Sequence, residues 1–369
     1  MDSAKPSLDL VRSVTDVHVL RALMRHRRLT RAELAAQIGI SKPTAGESVR
    51  RLTERGLVAD TGERTPGGRG RGRVGSYYAL APAVGVALAV TIAPEGVVAE
   101  CLDVYGDALA RTMREVDRPA RPDHVAAALR SAAAEVRDAA DHPVRATVVS
   151  AADPVDRATG RLVQLPDAPF LVGELDPVAV LAPFAGGPVV VDNDVNWAAS
   201  AERDSAGAEH LRDFAYLYLG EGLGCAIVND GEIRRGRSGL TGEIAHLVTA
   251  GPGGRAVRFI ELFGELGLRR HGSTAIDVGR LLGSGATTRE VIGTAVAGVV
   301  AAVIALADPQ EVVVGGSWGP ALLGDIGAAT ARLPRHVPVR ATALTGEPVM
   351  AGVRAAALDH LRASVTADG

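Results

Sequence analysis

Four short segments hold the side chains best suited to chemistry. In Gly236-Arg237-Ser238-Gly239-Leu240-Thr241-Gly242-Glu243-Ile244-Ala245-His246, Glu243 and His246 stand three apart and would share one face of a helical turn. A carboxylate that accepts several hydrogen bonds, beside an imidazole that both donates and accepts, suits a polyhydroxylated ligand. A surface Glu with a core-capping His fits the same spacing. In Val191-Asp192-Asn193-Asp194-Val195-Asn196-Trp197, carboxylates and amides follow an apolar run, where α/β folds place ligand contacts. Asp194 could take a proton from a hydroxyl or accept a hydrogen bond, and an Asn-Asp pair also makes turns and helix caps. Leu219-Gly220-Glu221-Gly222-Leu223-Gly224 is a glycine-rich turn resembling a phosphate cradle, except that Glu221 would repel phosphate. Gly315-Gly316-Ser317-Trp318-Gly319 marks a sharp turn.

The elements that must position these residues are read from apolar patterning. Strands are expected over 84–92, 97–102, 144–150, 189–191, 214–219, 226–228 and 311–314, and helices over 122–141 and 289–306. Such alternation describes an α/β body, here of two lobes. The chain has 369 residues, 47% hydrophobic and 22% charged, which excludes a disordered protein and predicts two or three domains. The boundaries are placed at 1–80, 81–200 and 201–369. Two cysteines, Cys101 and Cys225, exclude a disulfide framework and a thiolate-rich metal site, and fit a reducing cytoplasm. The first residues lack the pattern of a secretion signal, and no apolar run reaches the roughly 18 residues that cross a bilayer. No membrane partner is expected.

The net charge of -3 hides an asymmetry: residues 1–80 carry a net +7 and the remainder a net -10. Lysine occurs only at Lys5 and Lys42, which nearly excludes Schiff-base chemistry and leaves positive charge to arginine. In the basic head, Val17, Val19, Leu20, Leu23 and Met24 recur at helical spacing, and Thr30 and Glu33 form a capping box for a second helix. Ser41 caps a third, which completes a helix-turn-helix. Lys42, Thr44, Ala45, Glu47, Ser48 and Arg51 are expected on its exposed face. A hairpin wing should follow, with Arg69, Arg71 and Arg73 spaced by glycines at its tip. Lys42, Thr44, Ser48 and Arg51 would then meet DNA in the major groove, and the three wing arginines in the minor groove. A small helical protein-interaction module with an arginine linker is the rival reading of this region.

Together these segments resemble the ROK family, the sugar kinases and sugar-responsive repressors that share an actin-like, two-lobed ATPase fold. The resemblance spans the chain, and in that family the N-terminal winged helix-turn-helix marks the repressors. Asn193-Asp194-Val195-Asn196 is similar to the family's Asn-Asp-Ala-Asn segment, Gly220 to Gly224 to its second phosphate motif, and Gly242 to His246 to its Gly-Glu-Ile-Gly-His sugar motif. The run from Gly346 to Ala357 resembles its closing segment. The resemblance implies that Asn193, Asp194, Glu243, His246 and Glu261 contact a sugar, with Asp194 in the position of the kinase base. Three departures stand out. The family's first-strand Asp-x-Gly-x-Thr appears as Ala87-Leu88-Ala89-Val90-Thr91, without carboxylate or glycine, and Glu221 replaces a phosphate-binding threonine. With no cation evident to offset Glu221, ATP should bind poorly. The family's zinc-binding cysteines align with 252–259, where no thiolate remains, so neither zinc nor another cofactor is expected.

The expected protein is a sequence-specific DNA-binding regulator, a repressor, whose catalytically degraded body senses a sugar or sugar derivative. Two half-sites one helical turn apart would require a homodimer or a dimer of dimers. The alternatives are an active ATP-dependent sugar kinase with an appended DNA-binding domain, and a ligand-free DNA-binding protein whose body only dimerises.

Overall fold

Local capping sets the head. The computed structural model describes residues 8–66, 74–165, 169–171, 173–207 and 211–369. Its first elements are α1 (Leu8–His26), β1 (Arg28–Thr30), α2 (Arg31–Ile38), α3 (Lys42–Glu54), β2 (Val58–Arg64) and β3 (Ser76–Leu80). The Thr30 hydroxyl accepts from the Glu33 N–H at 3.2 Å, while the Thr30 N–H donates to the Glu33 carboxylate at 2.8 Å. This is the expected capping box, and it satisfies two of the donors a helix start leaves free. Gly39, at φ 74°, ends α2, and the Ser41 hydroxyl accepts from the Thr44 N–H at the start of α3. Strands β1, β3 and β2 form one antiparallel sheet, in that order, which is the wing. Its tip lies outside the described residues, and with it Arg69, Arg71 and Arg73.

The expected exposed face of α3 is corrected at three positions. Ala45 and Ser48 are fully buried, and Ser48 donates to the buried Asp16 of α1. Arg51 makes two bonds to the same carboxylate, at 2.6 and 3.1 Å. Asp16 needs both partners because a buried, unpaired carboxylate is costly. Ser48 and Arg51 therefore clamp α3 to α1, whereas Lys42 and Thr44 are exposed.

The first lobe is built from β4 (Val86–Ala93), β5 (Gly96–Leu102), β6 (Ala108–Arg114), α4 (Pro122–Ala140), β7 (Val144–Ala151), α5 (Pro177–Leu181), β8 (Val189–Asn193) and α6 (Asp194–Ala206). The sheet order is β6-β5-β4-β7-β8, with β4, β7 and β8 mutually parallel. Strand β4 is buried on both faces, hence its unbroken apolar run. The second lobe adds β9 (Phe214–Leu219), β10 (Leu223–Asn229), β11 (Glu232–Ile233), β12 (Val248–Ala250), β13 (Ala256–Arg258), α7 (Phe259–Glu265), α8 (Val278–Leu282), α9 (Ala286–Ala307), β14 (Glu311–Gly315), α10 (Leu323–Thr330) and β15 (Val339–Ala341). Its sheet runs β11-β10-β9-β14-β15. Helix α9 is long and apolar enough to cross a membrane by length and composition. It packs against β12 and α10, with Ile292, Val296, Val299 and Val300 in the lobe's core.

The last helix, α11 (Pro348–Ala367), falls in the sequence range assigned to the second lobe but packs on the first, against α6, β4 and β7. A Cβ at Gly352 would lie 2.1 Å from the Trp197 carbonyl oxygen, so only glycine lets the two helices approach this closely. Val353, Ala357, Leu361 and Val365 join one apolar cluster with Leu20 and Leu23 of α1, which fuses head to body.

Because Arg51 pairs with Asp16, Arg51→Ala should destabilise the head by about 2–3 kcal/mol through the stranded carboxylate. Arg51→Ala combined with Asp16→Ala should recover most of this loss in thermal melts. Equal melting of wild type and the single variant would contradict the clamp.

Candidate functional site

A cavity of about 640 Å³ lies between the two sheets. The parallel register of β7 and β8 brings the ends of both strands to its floor. There Asp192 accepts from Arg235 Nε at 2.7 Å and from Asn196 Nδ2 at 2.7 Å, which anchors the turn from β8 into α6. Asn193 is the N-cap of α6, its side-chain oxygen accepting from the Val195 N–H at 3.0 Å. Its amide donates to the carbonyls of Ala151 at 3.4 Å and Asp153 at 3.3 Å. Asn193 thus lines the cavity, but this chain's own backbone uses its polar atoms on both sides. Asp194 is the first residue of α6 and faces the same space.

From the other lobe come Glu243 and His246, at the two ends of a single 3-10 turn, Ile244–His246 preceded by Glu243. Gly242 makes this possible: its φ is 96°, and a Cβ there would meet the Cys225 carbonyl oxygen at 1.7 Å. The structure therefore brings Asn193, Asp194, Glu243 and His246 together. It does not bring Glu261, which sits on α7 outside the cavity lining and is paired with Arg258. That hydrogen bond from Arg258 holds the Glu261 carboxyl below its usual range.

Two floor residues escape sequence reasoning, Ser150 at the end of β7 and Asp153 just beyond it. Ala-Ala-Asp-Pro reads only as a turn, and no local spacing shows that it points at Asp194. Burial raises Asp153 to about 7, eased by the backbone of Leu171. Burial raises Asp194 to about 7 despite the Val195 N–H, and the nearby charges of Asp153 and Glu243 add to the shift. Glu243 is also raised to about 7, first by burial and then by Asp153. Three carboxyl groups in one poorly hydrated space cannot all ionise freely.

The glycine-rich turn between β9 and β10 is held by Trp318, whose Nε1 donates to the Gly220 carbonyl at 2.9 Å. The expectation that Glu221 has no compensating cation is corrected. Arg118 donates to it at 2.8 and 3.1 Å, and Arg270 at 2.5 Å. The carboxylate and two guanidiniums form an internal salt cluster where the resemblance would place phosphate. On β4, Ala87, Leu88 and Ala89 are fully buried and the residues that line the cavity are Thr91, Ile92 and Ala93, so no carboxylate projects from this strand. The resemblance to a zinc-binding segment fails on donor chemistry, since Pro252, Gly254 and Phe259 offer no side-chain lone pair beside His246. In place of a metal-held loop, β12 and β13 close it by an antiparallel ladder from Val248–Arg258 to Ala250–Ala256.

Comparison with known proteins agrees with this architecture. Residues 100–258 match the model of the ROK family, and residues 12–59 that of a winged helix-turn-helix DNA-binding domain. The chain joins a ROK-family domain to a winged helix-turn-helix. A bifunctional enzyme NanE/NanK of Brucella suis is 34% identical over 146 residues, which cover 37% of this chain and 27% of that enzyme. A glucokinase of Streptomyces coelicolor is 29% identical over 164 residues, 44% of this chain and 50% of the kinase. The chain thus spans half or less of the length of these two relatives. Among solved structures, a ROK family transcriptional regulator, a homologue of the E. coli Mlc protein, superposes with a TM-score of 0.62 at 19% identity. That match covers 97% of this chain and all of the regulator, so the ROK domain and the winged head recur together in one fold.

The raised floor carboxyls make a prediction about stability. Between about pH 4 and pH 7 the folded chain keeps protons at Asp153, Asp194 and Glu243 that the unfolded chain has released, so these groups lower stability as pH rises. Asp153→Asn should be more stable than wild type at pH 8 by about 1–2 kcal/mol, with the gap closing at pH 5. Melting curves at both values check this, and a pH-independent difference would contradict it.

Proposed function

We propose that this protein is a transcription regulator, working as a repressor, that binds operator DNA through its winged head and senses a sugar in the cleft of its ROK domain. The observation that supports this most is the course of α11. Pro348, Val349 and Met350 at its start line the cavity, and Arg55, the C-cap of α3, donates to the carbonyls of Asp368 and Gly369 just past its end. A ligand that favours one arrangement of the cleft would thereby bias the head, provided it binds the two arrangements unequally. Lys42 and Thr44, exposed at the N-terminus of α3, would meet base edges and phosphates. Reading two half-sites calls for a homodimer or a dimer of dimers, and DNA as partner places the protein in the cytoplasm.

A sugar kinase bearing a DNA-binding head is the second reading, favoured by Asp194, a buried carboxyl near neutral range at the cavity floor. Against it, the Glu221–Arg118–Arg270 cluster fills the anion site with the chain's own charges, and β4 contributes no carboxylate to organise a metal-bound triphosphate.

Full-length protein should select discrete sites from a randomised duplex library, with log affinity falling steeply against log salt. Lys42→Ala with Thr44→Ala should weaken binding to the selected site by about 10- to 100-fold. A coupled assay of ATP consumption across hexoses and pentoses should stay at background. Turnover at about 1 per second or faster, or unchanged site selection by the double variant, would overturn the proposal.

A further inference from the structure

Buried carboxylates in this chain come with partners. Glu100 is fully buried and takes Arg111 and Arg354. Glu202 is fully buried and takes Arg340 and the Thr342 hydroxyl. Asp16 has Arg51 and Ser48, and Asp192 has Arg235 and Asn196. Asp153 departs from this rule. It is 3% exposed, it lines the cavity, and its Oδ2 has no hydrogen-bond partner. Ser150 lines the same cavity, is 1% exposed, and its Oγ is equally without a partner. Orphaned buried polar atoms are rare in folded proteins, and two that face one cavity point to a ligand that satisfies them.

The charge of that ligand follows from what surrounds the pair. Asp194 enters from α6 and Glu243 from the second lobe, close enough to Asp153 for each to sense its charge. Arg111 is the only lysine or arginine among the described lining residues, and Glu100 and Glu347 hold it. Glu221 is neutralised by Arg118 and Arg270, and Glu95 and Glu347 add no positive charge. His246, Tyr218 and Cys225 are the remaining titratable groups on the second-lobe side among the described lining residues. An anionic ligand would thus meet carboxylates with no free cation. A bare metal ion is also a poor fit, since no three acidic, histidine or cysteine side chains converge at ligating distance among the described residues. The space suits a polyatomic cation carrying hydroxyls.

Resting on the sugar-sensing reading, we propose that the cavity takes a saccharide bearing a free ammonium group, an unacylated amino sugar, with Asp153 as counter-ion and Ser150 as hydrogen-bond partner. Acetylation would remove the charge and leave Asp153 buried without a cation. A neutral hexose would leave it equally unmatched.

The test is calorimetry on the full chain at pH 7.5 with glucosamine, galactosamine and mannosamine, each against its parent hexose and its N-acetyl form. One amino sugar should bind about 10- to 100-fold more tightly than its neutral counterparts, the scale of one charge-assisted hydrogen bond. Asp153→Asn should cut that preference at least about tenfold in a variant that still melts cooperatively. Equal or tighter binding of a neutral sugar by the wild type would overturn the ammonium proposal and leave sugar sensing standing. A preference that survives Asp153→Asn in a folded variant would also overturn it. Failure of every saccharide to bind a chain that still binds DNA would remove the sugar-sensing reading, and this proposal with it. The wild-type comparison decides the matter even if Asp153→Asn does not fold.

Discussion

Helix α11 is the constraint on which the rest of the structure depends. It lies against α6, β4 and β7 of the first lobe and against α1 of the head, so a single apolar cluster runs from Leu20 and Leu23 through Leu361 and Val353 to Trp197. Burying each large apolar side chain stabilises by about 1.5–3 kcal/mol, and half a dozen shared across this junction outweigh what a flexible linker could supply. Polar bonds fix the register: Arg362 donates to the Val104 carbonyl at 3.1 Å, and Arg354 to Glu100 at 2.7 Å. Head and first lobe consequently move as one body or not at all.

That rigidity gives meaning to the contrast between satisfied and unsatisfied charges. Where the chain needs stiffness, its buried carboxylates are closed off by arginine, as at Asp16 in the head and Glu100 beneath α11. At the cavity floor the same residue type is left open, and the cost appears as carboxyl groups pushed up to about 7. Unmet polar groups of this kind are tolerated where a binding partner supplies what the fold withholds.

Much of this was legible in the sequence wherever the cause is local. Thr30 and Glu33 are three residues apart, and Ser41 caps α3 through Thr44, so both helix starts followed from pattern alone. The strand β9 coincides with its expected range because its apolar run is continuous and bounded. Edge strand β6 went unread because its solvent-facing residues break the apolar pattern, as did the short β12–β13 hairpin. The errors share a different cause, which is sequence distance. Ser48 and Arg51 look exposed until Asp16, more than thirty residues earlier, is brought beneath them. Glu221 looks unpaired until Arg118 and Arg270 arrive from 103 and 49 positions away. Glu261 matches a motif by order along the chain, yet Arg258, one turn back, turns its carboxylate outward.

The same geometry explains how a cleft of this kind could communicate with a DNA-binding head without a hinge between them. Two helices begin at the cavity, α6 at Asp194 and α11 at Pro348, and they cross in van der Waals contact at Gly352 and Trp197. Trp197 in turn donates from Nε1 to the Val149 carbonyl of β7 at 3.2 Å, one residue before Ser150 on the cavity floor. A change in how Ser150, Asp153 and Asp194 are satisfied therefore bears on α6, β7 and α11 together, and α11 is the one of these that packs against α1. Because packed interfaces shift between discrete arrangements rather than deform continuously, a ligand in the proposed sensing would act on the placement of the two lobes across the cavity gap. The salt cluster at Glu221 spans that gap, with Arg118 from the first lobe and Arg270 from the second, and it sets what a ligand must overcome or reinforce.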